Sequence, residues 1–199
     1  MWRFFKRIFD IVTSLIIIAI LMPLFMLISM VVLLFDGYPV IYKQKRIGLN
    51  WKPFYIYKFR TMVKNADAIG LGITSSADDR ITPVGKWLRK FKFDELPQFF
   101  NVLLGDMSVV GSRPELPKYT ELFRQDYNDI LKLKPGITDF ASITYAKEST
   151  ILENASDKEN AYINEILPEK IILNKMYLSK TGFLTDLLII FRTIKAILR

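Results

Sequence analysis

The hydrophobic pattern divides the chain in two. Ile11 to Phe35 is one apolar run, broken only by Thr13, Ser14, Pro23 and Ser29. It is longer than the roughly 20 residues a helix needs to cross the hydrocarbon core of a bilayer. No small-x-small cleavage site follows it and it is too long for a signal-peptide core, so it is expected to stay with the protein. Cations flank both ends: Arg3, Lys6 and Arg7 before it, Lys43, Lys45, Arg46, Lys52, Lys58 and Arg60 after it. The positive-inside tendency places both flanks in the cytoplasm, which one straight span cannot satisfy. Pro23 removes a helix hydrogen bond in mid-run and kinks the chain. Two topologies stand at this point: a Pro23-kinked helix that enters and leaves on one face, and an ordinary kinked span.

From Pro39 onward the pattern changes. Val40 to Gln44 and Phe54 to Lys58 are β-branched and aromatic with Gly48-Leu49-Asn50 between them, which predicts two strands around a turn. Asn65 to Asp79 is polar with two glycines and reads as a loop. Val84 to Lys92 is expected to be helical. Leu96 to Leu104 reads as a short apolar helix opened by Asp94, Glu95 and Pro97, residue types that belong at a helix start. Lys118 to Leu133 predicts a helix ended by Pro135-Gly136, Ile137 to Tyr145 a strand, and Asp157 to Ser179 a helix interrupted at Pro168. In Phe183 to Arg199, the positions Phe183, Leu184, Leu187, Leu188, Phe191, Ile194 and Leu198 recur at helical spacing. This suits a helix in a membrane interface and equally one packed on the protein's own core.

Composition narrows the chemistry. Lys and Arg number 28 against 20 Asp and Glu, a net charge of +8 that suits an anionic partner: lipid headgroups, phosphates or nucleic acid. There is no Cys and no His, which excludes disulfides, thiolate and imidazole catalysis and most zinc sites. Catalysis has to run on carboxylates, Lys, Arg, hydroxyls and a hard metal ion held by oxygen.

The densest stretch for such chemistry is Arg80 to Pro114. Asp94-Glu95 sits just before a helix, where N–H groups and the helix dipole favour anions. One carboxylate can act as a nucleophile while the other holds Mg²⁺; an acidic pair in this place is more commonly a plain helix cap. Lys86, Arg89, Lys90 and Lys92 crowd upstream and Arg113 follows, Arg being suited to bidentate phosphate recognition. Lys58-Phe59-Arg60-Thr61 offers two cations and a hydroxyl at a strand end. No Walker-type phosphate loop or dinucleotide fingerprint is present.

In this order, the fragments Gln44-Lys45-Arg46-Ile47-Gly48, Tyr57-Lys58-Phe59-Arg60-Thr61-Met62, Arg80-Ile81-Thr82, Val84 to Arg89, Asp94-Glu95-Leu96-Pro97-Gln98, Asn101-Val102-Leu103 and Gly105 to Glu115 resemble the bacterial sugar transferases, the monotopic phosphoglycosyl transferases. The resemblance implies an α/β membrane-associated fold: a re-entrant, Pro-kinked membrane helix over residues 1–38 and a small, mostly helical cytoplasmic catalytic domain over 39–199. That domain would carry a short β-hairpin and interfacial amphipathic helices, including 183–199. It implies transfer of a sugar-1-phosphate from a UDP-sugar to polyprenyl (undecaprenyl) phosphate at the bacterial inner membrane. Asp94 would attack the sugar-proximal phosphate and release UMP, leaving an aspartyl-phosphosugar intermediate, with Glu95 holding Mg²⁺. Arg89 and Arg113 match phosphate-contacting positions; Lys58, Arg60 and Asp186 are further candidates near the substrate. The chain departs from the family where the usual Pro before Arg113-Pro114 is Ser112. After Gly136-Ile137-Thr138 it reads Asp139 to Ala146 in place of Gly-Trp-Ala-Gln-Val-Asn-Gly-Arg, a region expected to shape the nucleotide or sugar pocket. Larger members carry additional N-terminal membrane helices, so this chain resembles a minimal form. No oligomeric state is implied. The rival readings are a non-catalytic membrane adaptor with a basic docking face, and a nucleic-acid binder, which the apolar run and the lack of a recognisable module argue against.

Overall fold

A computed structural model describes residues 2–66, 74–75 and 78–197. Most of the polar loop expected over Asn65 to Asp79 lies outside the described residues. The apolar run forms α1, Trp2–Phe35, a single helix of 34 residues that continues through Pro23. At 1.5 Å per residue it is roughly 50 Å long, and among the described residues it is the one helix long and apolar enough to cross a membrane.

Its faces differ. Asp10, Ser14, Ile18, Phe25, Ile28 and Val32 are buried against the rest of the chain. Ile8, Val12, Leu15, Ile20, Leu27 and Leu34 are among the large apolar side chains left exposed. This division follows helical geometry, in which positions three and four apart share a face.

The predicted hairpin is present: β1, Ile41–Ile47, pairs antiparallel with β2, Pro53–Phe59, in a register that sets Tyr42 opposite Lys58. A 3₁₀ turn, Leu49–Trp51, joins them. The outer edge of β2 is closed by one side chain. Buried Asn101 accepts from the Tyr57 N–H at 2.9 Å and donates to the Tyr55 carbonyl at 2.7 Å, completing the ladder as a neighbouring strand would.

Next come α2, Pro83–Lys90, capped by the Thr82 hydroxyl, and α3, Gln98–Leu104. Between them Phe93–Glu95 forms a 3₁₀ turn entered through Lys92 at φ 58°. β3, Ser108–Val110, pairs in parallel with β4, Gly136–Thr138. The strand expected to run to Tyr145 stops at Thr138. Asp139 caps a new helix, α6, Phe140–Thr144, its carboxylate accepting from the Ser142 N–H at 2.6 Å. The helix expected over Lys118 to Leu133 is two short ones, α4, Pro117–Leu122, and α5, Arg124–Ile130, divided at Phe123. Two short helices, α7, Glu148–Ile151, and α8, Lys158–Ala161, lead to a π-helical segment, Tyr162–Ile166, and then α9, Leu167–Ser179. Pro168 is the second residue of α9, directly behind the π-helical segment, so the helical path runs on past it instead of being interrupted there. The last helix is α10, Phe183–Ile197.

Three hydrophobic clusters hold the body together. Tyr119, Tyr127, Leu152, Tyr162 and Leu167 centre one; Val102, Met107, Val110, Tyr177 and Ile189 centre the second. The third joins Phe25, Ile28 and Val32 of α1 to Phe59 and Leu88. Helix α1 is therefore part of the core.

Polar contacts tie both of its ends to that same body. Near its start, Lys6 pairs with Asp186 at 2.5 Å, and Arg7 donates to the Val102 and Leu103 carbonyls at 2.5 and 2.8 Å, capping the end of α3. The Asp10 carboxylate accepts from the Ser108 hydroxyl at 3.0 Å and the Val109 N–H at 2.9 Å. Past its end, Arg60 donates to the carbonyls of Asp36 and Gly37, and the Thr82 hydroxyl donates to the Asp36 carboxylate at 2.9 Å.

Candidate active site

A cleft of about 990 Å³ opens between α1, the β-hairpin, the Phe93–Glu95 turn and helices α6, α9 and α10. That is at the upper end of the roughly 300–1,000 Å³ typical of small-molecule sites. Asp94, Glu95, Lys58, Arg60, Arg89 and Arg113 all line it. Local structure explains why they converge. Lys58 is carried to the end of β2 by the hairpin register. Arg89 lies in the last turn of α2 and donates through Nε to the Thr61 hydroxyl at 2.9 Å. Arg113 follows β3, its N–H held by the Asp139 carboxylate at 3.0 Å. The left-handed Lys92 turns the backbone so that Asp94 faces inward while Glu95 meets the cations.

The two adjacent carboxylates have opposite environments. Glu95 is clamped: Arg113 forks onto both oxygens, at 2.9 Å from Nη1 to Oε2 and with Nη2 on Oε1, and Lys58 reaches Oε1 at 3.3 Å. Burial alone would raise the Glu95 carboxyl, but Arg113 and Lys58 outweigh it and hold it well below the usual carboxylate range. Glu95 in return raises the Arg113 guanidinium, while burial lowers the Lys58 ammonium against the pull of Glu95.

Asp94 is 6% exposed, and its Oδ1 is buried with no hydrogen-bond partner. Burial first, then the neighbouring Glu95 charge, raise its carboxyl, with Lys58, Arg89 and Lys92 opposing. The pair thus divides into one ionised, immobilised carboxylate and one more basic carboxylate with an unsatisfied oxygen. Such a divergence marks groups with different roles.

Two sequence candidates sit differently from expectation. Arg60 lines the cleft, yet one nitrogen is committed to the C-terminal carbonyls of the α1 turn, where a cation complements the helix dipole; its Nε and Nη1 are buried without partners. Asp186 does not line the cleft. It joins α10 to Lys6 of α1 and to the Tyr177 hydroxyl at 2.7 Å. Its acidic side chain in the first turn of a helix already has a structural explanation.

Sequence reading missed a second buried polar cluster on the cleft wall. Glu115 accepts from the Tyr162 hydroxyl at 2.8 Å and faces Arg46 at 3.7 Å and Lys170 at 3.8 Å; Lys170 also pairs with Glu148. Burial, then the Glu115 charge, push the Tyr162 hydroxyl well up, so it remains a donor. The available signal was that Arg46 and Glu115 lie within the fragments Gln44 to Gly48 and Gly105 to Glu115 that carry the family resemblance.

With this geometry in hand, comparison with known proteins is direct. A family model described as bacterial sugar transferase matches residues 1–199, and the chain belongs to that family. It is 35% identical over 202 residues to the UDP-N-acetylgalactosamine-undecaprenyl-phosphate N-acetylgalactosaminephosphotransferase of Aeromonas hydrophila, covering 99% of this chain and 44% of the relative. It is 38% identical over 197 residues to the UDP-glucose:undecaprenyl-phosphate glucose-1-phosphate transferase of Klebsiella pneumoniae, covering 96% of this chain and 39% of that protein. The uncharacterized sugar transferase EpsL of Bacillus subtilis (strain 168) is 35% identical over 193 residues, with 97% of this chain and 87% of the relative covered. The chain thus spans about two fifths of the length of the first two relatives.

Proposed function

We propose that this protein transfers a sugar-1-phosphate from a UDP-sugar to undecaprenyl phosphate or a similar polyprenyl phosphate. The observation that carries the reading is Asp94: a buried carboxylate with an unpartnered oxygen, beside a clamped Glu95, in a cleft ringed by Lys58, Arg89 and Arg113. The names of the Aeromonas and Klebsiella relatives supply the substrate class.

In the proposed reaction Asp94 attacks the sugar-proximal phosphorus. A new O–P bond forms, the bond to the bridging oxygen breaks, and UMP departs with the electron pair. The phosphate oxygen of the lipid then attacks the aspartyl phosphosugar, and the carboxylate of Asp94 is regenerated. Phosphoryl transfer chiefly requires positioning and charge neutralisation. Arg89, fixed through Thr61, and Arg113, fixed through Asp139 and Glu95, are preorganised cations for that purpose. Burial excludes water from Asp94, which protects the covalent sugar phosphate from hydrolysis.

The donor set is hard oxygen and fits Mg²⁺, which takes one or two carboxylates plus substrate phosphates. Asp94 presents the unpartnered oxygen; Glu95 would join as a ligand by releasing Lys58, the looser of its two partners at 3.3 Å. When bound, the ion would neutralise charge developing on the phosphate of the departing UMP.

The acceptor lipid would approach along the wall made by Thr13, Ile17 and Leu21 of α1 and Ile190 and Ile194 of α10, which borders the same cleft. We read α1 as entering and leaving the membrane on one face, with the body in the cytoplasm beneath the inner membrane. Contacts from Lys6 to Asp36 with one body support this, because a straight span would carry part of that body into the bilayer.

The test is UMP release by the full chain in nanodiscs with undecaprenyl phosphate, Mg²⁺ and a panel of UDP-sugars. Release that disappears with chelator and in Asp94→Asn is expected. Mg²⁺-independent release, or full turnover by Asp94→Asn, would overturn the assignment. No release from any donor would favour a non-catalytic membrane adaptor.

A further inference from the structure

The cleft has a second wall that the reaction does not use. Ser142 of α6, Glu148 of α7, and Lys170 and Asn174 of α9 all border it. Two oxygens here lack partners. Asn174 is 3% exposed and its Oδ1 is buried with no hydrogen bond; the buried Ser142 Oγ is likewise unpaired. An unsatisfied buried polar group costs about 1–3 kcal/mol, and such groups in a native cavity call for a ligand or water. This wall is physically tied to the reacting pair. The Asp139 carboxylate bonds the Arg113 N–H at 3.0 Å with one oxygen and the Ser142 N–H at 2.6 Å with the other. Arg113 in turn grips Glu95. The Glu148 charge is near enough to add to the stabilisation of the Arg113 guanidinium.

The chemistry of the wall is acceptor-rich. Asn174 Oδ1 and the Glu148 carboxylate accept, and Ser142 Oγ can do both. Lys170, the cation here, is already committed to Glu148 and Glu115. A uracil ring presents one N–H against two carbonyls; it could pair with an Asn amide but has no second donor for Ser142 Oγ or the Glu148 carboxylate. A hexose presents several O–H donors, or an acetamido N–H, and matches it well. We propose that Asn174 and Ser142, flanked by Glu148, form the subsite that reads the sugar ring of the donor and set which UDP-sugar is used. This rests on the transferase reading above.

The experiment has two arms, both on the full chain in nanodiscs. In the first, kcat/KM is measured for pairs of UDP-sugars differing at one ring position, such as C4 epimers or 2-hydroxyl against 2-acetamido. Asn174→Ala and Ser142→Ala are each expected to shrink the ratio between preferred and disfavoured donor about fivefold to tenfold, with the KM for polyprenyl phosphate unchanged. Ser142→Ala removes an oxygen with no partner inside the protein, so it carries the test if Asn174→Ala fails to fold. In the second arm, affinities for UDP-sugar and for plain UDP are compared in an Asp94→Asn background, where no turnover is needed. The advantage of UDP-sugar over UDP should fall in both wall variants while UDP binding holds. An unchanged donor ratio, or equal losses for UDP and UDP-sugar, would overturn the proposal. A wild-type chain that releases no UMP would sink the transferase reading, and the binding arm would still decide whether this wall holds a sugar.

Discussion

Replacing Gly85 with Ala sets two physical arguments against each other. Gly85 lies in the first turn of α2, and helix propensity alone favours Ala by up to about 1 kcal/mol. In the fold, a Cβ at this position would lie 2.0 Å from the Thr61 carbonyl oxygen and 2.7 Å from its carbonyl carbon, where real contacts stay beyond about 3.0 Å. Both atoms are backbone, so the helix and the segment that follows β2 must separate by about 1 Å. The Thr82 N–H bond to the Thr61 carbonyl, 3.1 Å long, is strained or lost, and so is the Arg89 contact to the Thr61 hydroxyl. Overpacking costs about 1–3 kcal/mol and a lost hydrogen bond about 1. The net is a destabilisation of about 1–3 kcal/mol, or a fall in Tm of roughly 3–10 °C for a chain of this size. Because α2 leads directly into the Phe93–Glu95 turn, the same shift displaces Asp94, and a misplacement of about 1 Å can cost on the order of a hundredfold in rate. Thermal unfolding in nanodiscs and UMP release read the two effects. A Gly85→Ala variant with Tm at or above wild type and unchanged turnover would refute the close-approach argument.

Other perturbations follow from the same contacts. Asp94→Asn should abolish UMP release yet raise Tm by roughly 2–8 °C, because it relieves a buried charge beside Glu95; a lower Tm would contradict that description. Lys170→Met removes the cation that pairs with both Glu115 and Glu148, leaving Arg46 and Arg113 as the nearby positive charges, and should destabilise by about 3 kcal/mol in chemical denaturation. Asp10→Ala removes the acceptor for the Val109 N–H and should cost about 1–3 kcal/mol, read locally as faster hydrogen exchange at Val109.

The features readable from sequence were those whose cause is local. Alternating β-branched and aromatic residues predicted the hairpin, and helical spacing from Phe183 predicted α10. Asp94, Glu95, Arg89 and Arg113 were found because family resemblance joined fragments that individually looked like caps and loops. What escaped depends on distant partners. Ser108–Val110 and Gly136–Thr138 are three residues each and become strands only because they pair with one another across the chain. Ile137 to Tyr145 is rich in β-branched and aromatic residues and so suggested a strand, but a local cap, the Asp139 carboxylate accepting from the Ser142 N–H, turns the chain into a helix. Asn101 looks like an ordinary helix residue until β2 supplies two backbone groups for its amide. Asp186 was placed near the substrate, whereas Lys6 and Tyr177, far off in sequence, claim it. Lys170 and Asn174 carried no motif, and Glu115 only closed the Gly105 to Glu115 fragment without a role; their significance lies in sharing one buried wall.

The contacts of α1 also impose an order of events during synthesis. The helix leaves the ribosome long before its partners: Asp10 waits for Val109, 99 residues later, and Lys6 for Asp186, 180 residues later. At about 5–20 residues per second, the first of these delays is on the order of 5–20 s. Through that interval Asp10, Ser14 and the apolar side chains that will face the body have only lipid, water or the insertion machinery as company. A replacement anchor of equal hydrophobicity would insert as well and still leave the cleft without one of its walls.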